Sequence, residues 1–199
     1  LLTATNFLLI IGAYLIGSIP FGFLLARLWK GIDIRQHGSG NIGATNVWRT
    51  LGKGPGIIVL LLDALKGIAA VMLAKQLGTT EYVVLAAALA VMMGHSFPIW
   101  LGFKGGKIIA TGAGAVLAIT PVPLLLALLV WIITVALSRY VSLGSILAAI
   151  SLPIWVFLFE QNNSIFVFTL LAASFAVWKH RSNIKRLLNG TEFRFGQKK

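Results

Sequence analysis

Between His37 and Gly56 the sequence reads HGSGNIGATNVWRTLGKGPG. This stretch holds six glycines together with Ser39, Asn41, Thr45, Asn46, Arg49 and Lys53, and it contains no carboxylate. Small polar donors, glycines and fixed cations without acids suit an anion such as phosphate. A second stretch, Phe103-Lys104-Gly105-Gly106-Lys107, has the same character. Backbone N–H groups of consecutive glycines are expected to form an anion nest there, and the helix that follows adds its N-terminal partial charge. Neither stretch is a Walker loop. Leu101 stands five residues before Gly106 where glycine is required, Ile108 replaces the required Ser/Thr, and Gly52-Lys53-Gly54 fails the same test. ATP hydrolysis is therefore unsupported. Two further polar clusters, Arg139-Tyr140-Val141-Ser142 and His180-Arg181-Ser182-Asn183, lie later in the chain.

Other chemistries are poorly served. The absence of cysteine removes thiolate nucleophiles, thiolate metal sites and disulfides. Asp33 and Glu192 are the only loop carboxylates on the basic face defined below, so no metal site is expected. Ser39 as a covalent nucleophile has no recognisable His/Asp pair beside it. His37, His95 and His180 each read as a hydrogen-bonded structural group or as a general base. Asp63 and Lys66, at i and i+3 in an apolar segment, read either as a mutually neutralising buried pair or as a lysine reaching a polar cavity with an aspartate to orient it.

The elements that must position these groups are apolar. Of 199 residues, 58% are hydrophobic and 11% charged, and the mean hydropathy is +0.91. That is the profile of an integral membrane protein, here expected to form one polytopic domain over 1–199. The net charge of +12 then points to orientation in the membrane, anionic lipid and anionic substrates rather than to nucleic acid. The first segment is not expected to be a cleavable signal peptide, since it lacks a basic n-region. Spans are predicted over 6–29, 55–74, 81–100, 108–120, 121–137, 143–159 and 164–178. Pro20 is expected to kink the first. The fourth, with thirteen residues, would reach only about 20 Å against a hydrocarbon core of about 30 Å.

Charge decides whether that short segment crosses. If all seven do, one face collects Arg27, Lys30, Arg35, Arg49, Lys53, Lys104, Lys107, Arg139, Lys179, Arg181, Lys185, Arg186, Arg194, Lys198 and Lys199. The other face keeps Lys75, Glu81 and Glu160. The positive-inside rule selects this all-α arrangement of seven transmembrane helices, N-terminus outside and C-terminus cytoplasmic. It brings the two glycine-rich loops and the two later clusters to one cytoplasmic face. Binding of lipid headgroups fits the C-terminal tail but not the glycine-rich loops, because snorkelling cations need no glycines.

GSIPFGFLLARLWKGIDIRQHGSGNIGATNVWRTLGKGPG, GHSFPIWLGFKGGK and HRSNIKRLLNGTE resemble the three signature regions of the bacterial acyl-phosphate:glycerol-3-phosphate acyltransferases, the PlsY family, and LLDALKG fits as well. The resemblance covers nearly the whole chain. It implies a multi-pass enzyme of the bacterial cytoplasmic (inner) membrane. Such an enzyme transfers a fatty acyl group from acyl phosphate to the 1-hydroxyl of glycerol 3-phosphate, giving lysophosphatidic acid and phosphate, without cofactor, metal or acyl-enzyme. The His-x4-Asp pairing of the commoner glycerolipid acyltransferases is absent, since Ile42, Trp100 and Lys185 stand five residues after the histidines. With the resemblance in hand, Ser39, Gly40, Asn41, Thr45, Asn46 and Arg49 are expected to bind the acyl-phosphate headgroup and the developing oxyanion. Lys104, Gly105, Gly106 and Lys107, with Arg139 and Ser142, would hold glycerol 3-phosphate. His180 and Asn183 would complete the site, and Ser39, Arg49, Lys104, His180 and Asn183 are the expected catalytic set. Substrates and membrane lipids are the expected partners, with no nucleic acid.

One position departs from the family pattern, which continues GGKG where Ile108 stands here. A β-branched residue reaches φ > 0 only at a cost, so the loop is expected to be altered if the family glycine uses that conformation. The rival functional class is a transporter or binding protein for a small phosphorylated anion. Without an internal repeat, and with every polar motif on one face, alternating access is poorly supported.

Overall fold

A computed structural model describes residues 3–196; Lys198 and Lys199, counted above with the basic face, lie outside the described residues. The described residues are helical with connecting turns and contain no strand. The helices are α1 (Ala4–Ser18), α2 (Phe21–Lys30), α3 (Ala44–Leu51), α4 (Lys53–Leu77), α5 (Glu81–Ser96), α6 (Ile109–Ile119), α7 (Pro121–Ser138), α8 (Val141–Phe159), α9 (Asn163–Lys179) and α10 (Arg181–Leu188). Five stretches are long and apolar enough to cross a membrane: Ala4–Lys30, Lys53–Leu77, Glu81–Leu101, Pro121–Ser138 and Val141–Phe159. Two apolar helices are shorter, α6 and α9. The chain is a multi-pass membrane protein.

Pro20 does more than kink the first span. Without an N–H, and with a ring that crowds the preceding residue, it ends α1 at Ser18, and α2 restarts at Phe21. Polar spacing also hid two short helices. Ala44–Leu51 lies inside the first loop, and Arg181–Leu188 inside the tail. Both are amphipathic, so neither raises hydropathy over a window of spanning length.

The chain divides into two compact units, Leu1–Ile119 and Thr120–Lys199. In the first, α4 is the central helix, packing on α1, α2, α3, α5 and α6. Glycines set how closely helices approach. A Cβ on Gly17 would overlap the backbone of Val91, and one on Gly94 the backbone of Tyr14, so α1 and α5 meet backbone to backbone. Gly67 and Gly114 do the same for α4 and α6. At the loop end, Ala26, Ile34, Ile42, Val47, Val59 and Leu101 form a buried apolar cluster under the first loop. In the second unit α8 packs on α7 and α9, and α10 packs on α8 and α9. Outward leucines, isoleucines and phenylalanines such as Leu125, Ile133, Leu137 and Phe157 suit a lipid solvent.

Candidate active site

In the first unit the loop after α2 is wound around one amide. Asn46, in the first turn of α3, is buried. Its Nδ2 donates to the carbonyls of Asn41 at 2.8 Å, His37 at 3.0 Å and Ile34 at 3.3 Å. Its Oδ1 accepts the Ser39 N–H at 2.8 Å. Asn46 thus satisfies four backbone groups that a loop leaves without ladder partners. Gly38 and Gly40 lie in the left-handed region, and a Cβ on Gly38 would overlap Asn46 Oδ1. Asn41 Oδ1 accepts the Gly43 N–H at 2.7 Å and sets up the entry to α3. The buried face of α3 carries Asn46 and Val47, while Thr45 and Arg49, four apart on one exposed face, point away from the core. Ser39 is exposed on the same loop. The structure therefore brings Ser39, Asn41 and Asn46 into one hydrogen-bonded unit and puts Thr45 and Arg49 on the outer face of its helix. Beside them Arg35 clasps Asp33 with Nε and Nη2 at 2.7–3.1 Å. That guanidinium holds the Asp33 carboxyl down at about 2.

The second loop, residues 102–107, corrects the expectation of a backbone anion nest. The Gly105 N–H donates to Ser96 O at 3.1 Å and the Gly106 N–H to His95 O at 2.9 Å. Ser96 Oγ donates to Gly106 O at 3.0 Å. These N–H groups are already taken by carbonyls at the end of α5, where four carbonyls lack intrahelical donors. Cationic charge in this loop comes from Lys104, exposed at the tip, and the half-buried Lys107. Ile108 is buried and sits at φ +62. The left-handed conformation persists with a β-branched residue in it, at a cost of about 1–2 kcal/mol.

Asp63 and Lys66 form the buried pair, with one more member than the sequence suggested. Lys66 Nζ lies 2.8 Å from Asp63 Oδ1, a charge contact rather than an aligned hydrogen bond. The same ammonium is 2.9 Å from His95 Nδ1 and donates to Ile19 O at 3.0 Å. All three side chains are buried. The sequence signal was there, a His-Ser pair ending one span and an aspartate and lysine inside another, but nothing in it pairs the two segments.

In the second unit Glu192 is the organiser, and sequence reasoning assigned it no such role. Its Oε1 accepts from Ser142 Oγ at 3.0 Å and from Asn183 Nδ2 at 2.8 Å, and its Oε2 from Arg186 Nε at 2.7 Å. Ser142, Asn183 and Glu192 are buried together. His180 Nδ1 donates to Ala176 O at 2.7 Å, which fixes the ring proton of the neutral imidazole on Nδ1. Arg139 takes the left-handed cap position of α7 at φ +63, and its carbonyl accepts the Phe195 N–H at 2.7 Å. The structure brings Ser142 and Asn183 onto one carboxylate oxygen and leaves the Arg139 side chain exposed.

A profile of the glycerol-3-phosphate acyltransferase family matches residues 7–190. The chain belongs to that family. It is 72% identical to a glycerol-3-phosphate acyltransferase of Desulforamulus reducens over 98% of both chains. It is 51% identical to one of Geobacter sulfurreducens, covering 92% of this chain and 94% of that one. A crystal structure of PlsY, an integral membrane glycerol 3-phosphate acyltransferase in its glycerol 3-phosphate form, superposes with a TM-score of 0.92 at 44% identity over 96% of both chains. The lysophosphatidic acid form gives 0.89 at 43% identity, covering 96% of this chain and 95% of that one. The chain is thus a glycerol-3-phosphate acyltransferase of the membrane-embedded type.

Proposed function

We propose that the protein transfers a fatty acyl group from acyl phosphate to the 1-hydroxyl of glycerol 3-phosphate, on the cytoplasmic face of a bacterial inner membrane. The observation that carries this is the likeness to PlsY in two forms, one with the acceptor and one with the acylated product. Both are phosphate monoesters, and the loops that resemble signature regions are rich in cations and poor in acids. Acyl phosphate is the donor that adds a further phosphate to be bound, and it is a mixed anhydride already activated for attack. The acceptor hydroxyl oxygen attacks the acyl carbonyl carbon, the bond from that carbon to the phosphate oxygen breaks, and inorganic phosphate leaves with the electron pair. The hydroxyl proton passes to a phosphate oxygen of the substrates. No acyl-enzyme is needed; the protein's work is to hold two anions together and to stabilise the charge that develops on the carbonyl oxygen.

In this reading the first loop takes the donor. Asn46 shapes it and Gly40 lets it turn. Ser39, Asn41 and Thr45 offer small polar groups, and Arg49 supplies charge. The second loop takes the acceptor's phosphate through Lys104 and Lys107, with Gly105 and Gly106 as its seat. Arg139 adds charge to the acceptor. Ser142 donates its proton to Glu192, so its oxygen serves as an acceptor for glycerol hydroxyls. His180, with its proton held on Nδ1, and Asn183 complete the catalytic set.

The seven crossings follow from charge, with α6 and α9 counted as spans and α6 leaving its preceding loop below the membrane surface, where irregular backbone is tolerated only beside a polar cavity. The reaction is tested with purified protein, palmitoyl phosphate and labelled glycerol 3-phosphate, without CoA, acyl carrier protein or Mg²⁺. Lysophosphatidic acid is the expected product; none here, but product from palmitoyl-CoA, overturns the donor. Because the chain has no cysteine, single cysteines at Gln161 and Lys185 test the topology with an impermeant thiol reagent. Labelling of Gln161→Cys alone from outside intact cells is expected, and labelling of Lys185→Cys from outside contradicts it.

A further inference from the structure

The Asp63–Lys66–His95 cluster is not used by the chemistry above, and it is expensive. Ions inside a spanning segment are costly, and a well-packed apolar trio of similar volume would be no less stable. A buried ion pair of this kind adds direction rather than stability, and its geometry shows what is directed. An ammonium has only donors, so with Lys66 Nζ at 2.9 Å the Nδ1 of His95 is the acceptor. The neutral ring then carries its proton on Nε2. That edge of the ring lies against Gly106. A Cβ built on Gly106 would overlap Nε2 and stand 2.7 Å from Cε1 and 2.8 Å from Cδ2, closer than real Cβ contacts come.

The backbone of the same residues completes the seat. His95 O takes the Gly106 N–H at 2.9 Å, Ser96 O takes the Gly105 N–H at 3.1 Å, and Ser96 Oγ donates to Gly106 O at 3.0 Å. The loop that carries Lys104 and Lys107 is therefore laid on one ring edge and three hydrogen bonds. Lys66 reaches the other side as well. It donates to Ile19 O, at the break that Pro20 opens between α1 and α2, and α2 leads into the first loop. One buried ammonium thus fixes both the ring under the second loop and the joint before the first.

We propose that His95 is a positioning residue for the acceptor site: the Asp63–Lys66 pair sets its ring, and the ring, packed on Gly106, fixes where the second loop presents its lysines to a phosphate. This rests on the reading that the second loop holds glycerol 3-phosphate. Gly106 is glycine, in this account, because the ring needs the space, not because its N–H binds the anion.

The test is a double-mutant cycle read in KM and kcat for glycerol 3-phosphate and for palmitoyl phosphate. Gly106→Ala is expected to raise the acceptor KM about tenfold, with kcat within about threefold and the donor KM within about twofold. His95→Asn keeps an acceptor near the Nδ1 position for Lys66 and removes Nε2 and Cε1, the two ring atoms nearest the new Cβ. Adding Gly106→Ala to His95→Asn is then expected to cost less than about threefold. The same tenfold cost in both backgrounds overturns the proposal. If His95→Asn does not yield folded protein, Ser96→Ala carries the test. It removes one of the three hydrogen bonds and is expected to raise the acceptor KM about threefold with kcat kept; an unchanged KM overturns the proposal. Lys104→Ala separates this inference from the reading beneath it. If Lys104→Ala raises the donor KM instead of the acceptor KM, the loop assignment fails. The His95–Gly106 coupling, read on the donor constant, then still decides whether His95 positions the loop.

Discussion

Asn46 in the first unit and Glu192 in the second do the same job with opposite electrostatics. Each is buried, each gathers hydrogen bonds from several points of the chain, and each aims residues that the sequence singles out. Asn46 does it without charge, donating to three carbonyls and accepting one N–H. Glu192 does it with a full negative charge, offset by Arg186 at 2.7 Å. The difference fits what each must face. A carboxylate at position 46 would stand inside the loop proposed to bind the donor's phosphate. Glu192 is paired with a cation, and its two other donors, Ser142 and Asn183, carry no charge. An acid is thus tolerated where it is neutralised in place and avoided where a phosphate has to approach.

Near-isosteric swaps break or sharpen this contrast. Asn46→Asp has the largest expected effect. It loses three donated bonds and turns a carboxylate on three carbonyls, a destabilisation on the order of 3–5 kcal/mol, and it puts a like charge beside the donor. Activity should fall by roughly 100-fold or more in material that still folds. Glu192→Gln is milder. The amide oxygen still accepts from Ser142, and the lost charge-assisted bond to Arg186 is worth about 1.5–3 kcal/mol. Denaturation midpoints in detergent and acyl transfer by the two variants check the order. A Glu192→Gln loss larger than that of Asn46→Asp contradicts the contrast.

Ile108→Gly tests the second loop by a smaller margin. It relieves about 1–2 kcal/mol of left-handed strain but deletes a buried side chain worth about 3 kcal/mol. A Tm lower by a few degrees is expected, with kcat/KM within about threefold of the parent, because the backbone conformation is already in place. A tenfold gain in kcat/KM would mean that Ile108 distorts the site.

The smallest effect is at Asp33. Its carboxyl titrates at about 2 in the folded protein, below the ordinary value of 3.8, because of Arg35. A depressed carboxylate stabilises the fold fully above its unfolded value, and the contribution is lost as pH falls through about 2. The carboxyl carbon shift of Asp33 should follow that midpoint and move upward toward 3.8 in Arg35→Gln; an unmoved midpoint contradicts the pairing.

Much of this was legible in the sequence, and the reasons for the rest are specific. The apolar spans were readable because composition varies sharply along the chain, and Pro20 marked the interruption of the first. Helices α3 and α10 were not, because their polar faces lower hydropathy and Pro/Gly punctuation reads as loop. Ser39, Asn41 and Asn46 lie within eight residues, so their grouping was visible, but that Asn46 holds the loop rather than standing open depends on its burial. The anion nest expected at Gly105 and Gly106 does not form, for a physical reason. Consecutive glycines expose N–H groups only if nothing else claims them, and the chain turns back so that the end of α5, about ten residues earlier, supplies two carbonyls. Lys66–His95 and Ser142–Glu192 are partnerships across 29 and 50 residues; no spacing rule connects them.

In the proposed reaction each of the two phosphates is held by its own loop. Steady-state kinetics with both substrates varied, on Arg49→Ala and Lys104→Ala, tests it most directly. A crossed result is expected, in which Arg49→Ala raises the KM for palmitoyl phosphate and Lys104→Ala raises the KM for glycerol 3-phosphate, each by about tenfold and each leaving the other constant within about threefold. Both substitutions acting on the same substrate constant would contradict it.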